Sequence, residues 1–173
     1  FNDQVECDLI FVHDWIVIHM LDRCTRWHAA LKVPNKESGT LVAAIDQMWM
    51  QIHGPPKELI MDGEAGVQLS HDSQLAFQEK GVKLHMRAKE MHARYIERRG
   101  ALFREAVNKV ISDLATRGHK VTQGDITPER VISEAVFCGN ALLSTNGSTP
   151  YNNVYGRVPH ILPSIDDIDV PGR

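Results

Sequence analysis

Three short runs rich in β-branched and aromatic residues, VECDLIFV, WIVIHML and RWHAALKV, follow one another before any helical periodicity begins. His13 and Asp14 separate the first two, and Pro34 closes the third. Such runs with turn residues between them predict a hairpin extended into an antiparallel meander, which commits the start of the chain to one sheet. The pattern then changes. In SGTLVAAIDQMWMQIHGPP, Leu41, Ala44, Ile45, Met48 and Ile52 share one helical face, and Gly54, Pro55 and Pro56 end it. KELIM, QLAFQEKG and VKLHM read as strand, helix and strand, with Gly81 closing the helix. Alternation of that kind turns a sheet parallel. A long helix is predicted near residues 92 to 117, with Ile96, Phe103, Val107, Val110 and Leu114 as its apolar stripe. Thr127 before Pro128 is an N-cap with proline in the first helical position, opening a last helix that runs to about Leu143. Past Asn146-Gly147 the chain is rich in Pro, Gly and Asp and is expected to be extended.

The predicted class is therefore α/β: a five-stranded mixed sheet, strands 1–3 antiparallel and strands 4–5 parallel, with helices on both faces. Residues 1–145 form the core and 146–173 an extended C-terminal tail. A length of 173 residues, 43% apolar, suits one domain with a sizeable core. Cys7, Cys24 and Cys138 are odd in number and far apart, which supports neither a disulfide framework nor a zinc ribbon and favours a reducing, intracellular setting. No apolar run approaches the ~20 residues of a membrane span. Phe1 opens directly on a strand-like segment, as in a piece cut from a longer protein. The net charge of −3 does not mark a nucleic-acid binder, but its distribution is uneven. Arg87, Lys89, Arg94, Arg98, Arg99 and Arg104 outweigh Glu90, Glu97 and Glu105 in the middle of the chain, whereas the tail holds Asp166, Asp167 and Asp169.

Three acids stand at positions that call for explanation. Asp8 lies in the middle of the first strand, on the same face as Glu6, Ile10 and Val12. An ionised carboxylate there must be paired, hydrated or bound to a cation, because burying it bare costs several kcal/mol. Asp62 follows ELIM in the string MDGEAG, at the carboxyl end of the fourth strand, where open α/β sheets place their ligand sites. Taken alone, Asp-Gly after a strand is more often a turn. Glu97 projects about 100° from the apolar stripe of the long helix, and Arg104 and Asn108 share its flank.

The order and spacing of these acids, with 34 residues between Asp62 and Glu97, resemble the D,D-35-E motif of retroviral and LTR-retrotransposon integrase catalytic cores. Other strings carry the same resemblance. LDRCTRW is similar to the family's D-x-x-[ST]-R stretch, HGPPKELIMDGE to its G-x-P segment, YIERR to its E-R pair, and STPYNNVYGRVP to T-P-Y-x-x-x-x-G-R-x-P. The chain departs from the family in writing D-G-E-A-G after the fourth strand and HARYI before the E-R pair, with Glu64 as a supplement to Asp62 and Glu90 as the fallback for the third acid.

The resemblance implies a ribonuclease-H-like fold and a metal-dependent polynucleotidyl transferase and endonuclease acting on DNA. Asp8, Asp62 and Glu97 would be both the catalytic residues and the ligands of two Mg²⁺ or Mn²⁺ ions. The reactions implied are 3′ processing of element ends and strand transfer into target DNA. Lys89, Arg94, Arg98 and Arg104 are the candidate phosphate contacts. A homodimer or higher oligomer is expected, with no membrane partner and with the nucleus as the site of integration. The alternatives are a DNA-binding or dimerising scaffold that has lost its chemistry, and a related ribonuclease-H-like nuclease or DDE transposase.

Overall fold

The structure, a computed structural model, describes residues 1–61, 69–87, 94–121, 124, 126–144 and 147–160. Its strands are β1 (Gln4–Val12), β2 (Trp15–Asp22), β3 (His28–Val33), β4 (Glu58–Met61) and β5 (Lys83–Met86), in the sheet order β3-β2-β1-β4-β5. β1, β2 and β3 form the antiparallel meander, and β4 and β5 add to it in parallel. This is the predicted mixed sheet.

Both faces are covered. Val5 and Cys7 on one side of β1 pack with Ile18, Met20, Leu41, Ile45, Trp49 and Phe77, whereas Ile10 and Val12 on the other pack with Phe103, Val107, Val131 and Ile132. The alternation along β1 thus feeds two cores, so that Glu6 is as enclosed as its apolar neighbours while Asp8 is half-buried and Gln4 exposed.

The first core is roofed by α1 (Ser38–Ile45), which runs on through a π-helical turn (Asp46–Met50) to a last turn at Gln51–His53, and by α2 (His71–Glu79), capped by Ser70. Leu41, Ala44, Ile45 and Met48 are buried as expected, but Ile52 is 64% exposed. The π turn is the reason. Its wider i→i+5 bonding delays the helix by about one residue, so Trp49 turns inward and His53 takes the place Ile52 would have held. The His53 ring accordingly lies against Phe1, Trp27 and Trp49.

The second core is roofed by α3 (Arg94–Thr116) and α4 (Pro128–Leu142). Thr127 accepts the Arg130 N–H as the predicted cap. One expectation fails: the segment after Gly147 is not simply extended, because Pro150–Tyr155 forms a short helix, α5. Thr149 accepts the Asn152 N–H at its start, and Gly156 ends it at φ 67°. The remainder of the predicted tail, 161–173, lies outside the described residues. Among the described residues no helix is long and apolar enough to cross a membrane.

Candidate functional site

The strand carrying Asp8 and the strand leading to Asp62 are neighbours in parallel register. Their last pair is Cys7 with Met61, so each acid is the next residue of its own chain segment. Asp62 itself lies outside the described residues, as do Glu64, Lys89 and Glu90. Asp8 is half-buried opposite His19, and its Oδ1 accepts the N–H of Leu9 at 2.8 Å.

The residues on either side of Asp8 on its face tie β1 to the helix that carries Glu97. Glu6 is 1% exposed. Its Oε2 accepts the Ile96 N–H at 3.0 Å, within the first turn of α3, where a carboxylate meets both an unpaired amide and the positive end of the helix dipole. Its Oε1 takes Arg87 at 2.7 Å and Arg23 Nε at 3.3 Å. At the other side of Asp8, a Cβ built on Gly100 would stand 3.7 Å from Ile10 Cγ2, so the backbone of α3 runs directly over β1 there. Asp8 and Glu97 therefore lie between the same two contacts, Glu6 with Ile96 and Ile10 with Gly100. Glu97 is solvent-exposed at the rim of that crossing.

The basic residues of α3 divide between its flanks. Arg104 is exposed on the flank of Glu97, within about 20° of it at 100° per residue. Arg98 instead lines a cavity with Arg26 and Arg99 on the other flank. Arg99 is buried and donates to the carbonyls of Gly139 at 2.9 Å and Arg26 at 3.3 Å. Burial, followed by the charge of Arg26, brings its guanidinium pKa down to about 10. Arg94 opens α3, and its side chain lies outside the description.

Two of the sequence motifs prove to be turn chemistry that touches in space. In LDRCTRW, Asp22 Oδ1 accepts the Thr25 N–H and Oγ1–H, both at 2.7 Å, and Arg26 follows at φ 64°. Trp27 then receives the rings of Tyr151 and Tyr155 from STPYNNVYGRVP, at 6.1 and 5.4 Å between centroids. Sequence reasoning missed Glu6 as the buried acid of β1, Arg99 as a core residue, and a buried His19–His28 pair joined at 3.1 Å. An acid at an inward position of a strand was the one legible signal for Glu6. Among the described residues no three His, Cys, Asp or Glu side chains are grouped so as to hold a metal ion; of the three predicted ligands, only Asp8 and Glu97 belong to that set.

No family model and no curated protein matches this chain. Solved structures do. A chain of the simian T-cell lymphotropic virus intasome in complex with PP2A regulatory subunit B56 gamma superposes with a TM-score of 0.74 at 16% identity, over 94% of this chain and 56% of that one. This chain thus spans little more than half of the intasome protein's length. The HTLV-2 integrase catalytic core domain in complex with magnesium, in its trimeric form, gives 0.69 at 16% identity over 87% and 95% of the two chains. The catalytic core domain of BIV integrase gives 0.70 at 15% over 88% and 93%. With the mixed sheet, its strand order and its helices in place, this chain has the fold of a retroviral integrase catalytic core, of the ribonuclease-H-like class.

Proposed function

We propose that this chain is the catalytic core of an integrase from a retrotransposon or retrovirus-like element, performing 3′ processing and strand transfer on DNA. The observation that carries the reading is the fastening of α3 to β1 on both sides of Asp8, which holds Glu97's helix over the first acid in a fold shared with integrase cores. Asp8, Asp62 and Glu97 are its catalytic residues and metal ligands.

The donor set fits the group it would hold. Three carboxylates offer only hard oxygen ligands, which suit Mg²⁺ or Mn²⁺ rather than a softer metal. Two such ions, when bound, supply stabilisation of the negative charge on the attacking and leaving oxygens of a phosphodiester. The chain's own residues do the remainder. Asp8, in the middle of the sheet, is the rigid member. Glu97, exposed on its helix, orients a water or a DNA 3′-hydroxyl and draws on its proton. Arg104 on the same flank, with Lys89 and Arg94, meets the DNA backbone. The magnesium recorded with the HTLV-2 core, its dimeric and trimeric forms and the intasome assembly of the simian virus protein support metal use, a homodimer or higher oligomer, and DNA as partner. The reaction carries with it a nuclear site of action.

The test is cleavage and joining of element-end oligonucleotides in Mg²⁺ and Mn²⁺, comparing the wild type with Asp8→Asn, Asp62→Asn and Glu97→Gln. Both activities are expected in the wild type and neither in the variants. Cleavage without joining would point to a plain nuclease, and binding without either to a scaffold.

A further inference from the structure

On the flank of α3 turned away from Glu97 lies a cavity of about 480 Å³ that the acid site does not use. Tyr95, Arg98, Arg99 and Leu102 face it from α3, and Leu21 and Arg26 from the end of β2 and the turn after it. At 100° per residue, the centre of this flank is about 150° around the helix from Glu97.

Three guanidinium groups share the cavity, and no Asp or Glu is among the described residues lining it. Arg99 is 6% exposed. Its Nε, and Nη1 of Arg26, are buried without a hydrogen-bond partner among the described residues. Solvation accounts for the exposed Arg98, but not for two buried donors of like charge, each of which is destabilising when its hydrogen bond is left unmade. Their persistence has a local cause. Arg26 is held in a left-handed conformation, φ 64°, by the Asp22 turn, and its guanidinium lies 3.7 Å from the centre of the Tyr95 ring. The donors are thus fixed in place before any ligand arrives.

We propose that this cavity is a phosphate-binding site, and that its ligand is the phosphate of a nucleotide unit. A single carboxylate satisfies one guanidinium fork, whereas the non-bridging oxygens of a phosphate can accept from several at once. Leu21, Leu102 and the Tyr95 ring give apolar surface beside the arginines, suited to the sugar or base attached to that phosphate. The site lies outside the three-acid centre and stands without it: it needs no metal and no reaction.

Isothermal titration in chelator-containing buffer at constant ionic strength tests it, using inorganic phosphate, deoxyadenosine monophosphate and a short 5′-phosphorylated oligothymidylate as probes. Saturable binding of the nucleotide is expected. Arg98→Ala, which alters an exposed side chain and leaves the cores intact, should weaken it roughly tenfold, the value of one charge-assisted hydrogen bond. Arg26→Gln should do the same, and Glu97→Gln should leave it unchanged. Oligonucleotide binding tighter than the mononucleotide's identifies a nucleic-acid strand as the source of the phosphate, and equal binding identifies a free nucleotide. No saturable binding of any probe overturns the proposal, as does binding that Arg98→Ala leaves within about twofold. Loss of strand transfer in Asp62→Asn with this binding intact separates the two sites; a wild type inactive on DNA would remove the function proposed above and leave this one standing.

Discussion

Two acids on one face of β1, two residues apart, have opposite fates. Glu6 is enclosed and takes two arginines and a helix amide, while Asp8 stays half-open. Removing one partner of a buried ionic cluster leaves the others unpaired, so Glu6→Ala should lower stability by about 3 kcal/mol, toward the lower end of the range because Arg23 and Arg87 keep some access to water. Chemical unfolding measures it, and a loss below about 1 kcal/mol would show that Glu6 is not the anchor of α3. Gly139 is a second such point. A Cβ there would collide with the His28 ring, so Gly139→Ala should cost about 1–3 kcal/mol by overpacking, although alanine is the better helix former; a stabilised variant in the same unfolding measurement would contradict the close approach of α4 to β3. The alternation in VECDLIFV told that Glu6 and Asp8 share a face, but which acid is buried depends on Arg23, Arg87 and Ile96, between 17 and 90 residues away. Pairing at that range leaves no local trace.

At the scale of elements, β2 and β3 meet α3 and α4 through His19 and His28, both fully buried. Burial first, then the charge of Arg99, holds both rings below the ordinary imidazole value of 6.5, His19 at about 3. The folded chain refuses a proton that the unfolded chain accepts near pH 6.5. Stability is thus full above that pH and declines as pH falls below it, for His19 down to about 3, at up to about 1.4 kcal/mol per pH unit for each ring. Thermal unfolding followed from pH 7.5 to 5.5 should show this fall, with a shallower slope in His19→Gln; a flat wild-type profile would contradict the neutral buried pair. Most elements were legible because their signals are local: period-2 runs, the stripe of α3, and the Thr127-Pro128 cap. The short α5 carries the same signal in Thr149-Pro150, but the Gly, Pro and Asp around it outweigh one cap. The π turn has no sequence signature of that kind, so regular helical periodicity puts Ile52 inside where the structure exposes it.

For the whole molecule, the order β3-β2-β1-β4-β5 follows from a meander that then turns parallel, and it sets the elements bearing Asp8 and Glu97 in contact and leads the chain toward Asp62. The sequence could mark the three acids only through their order and spacing, since the contacts that fix α3 over β1 come from Glu6 and Gly100. In the proposed site the three carboxylates would repel one another until a cation joined them, so metal binding should stabilise the fold. The most direct measurement is a Mn²⁺ titration followed by thermal unfolding. The proposed site predicts a saturable rise in the melting temperature of the wild type that Asp8→Asn, Asp62→Asn and Glu97→Gln each abolish. A wild type that does not respond, or an equal rise in the Asp62→Asn variant, would contradict it.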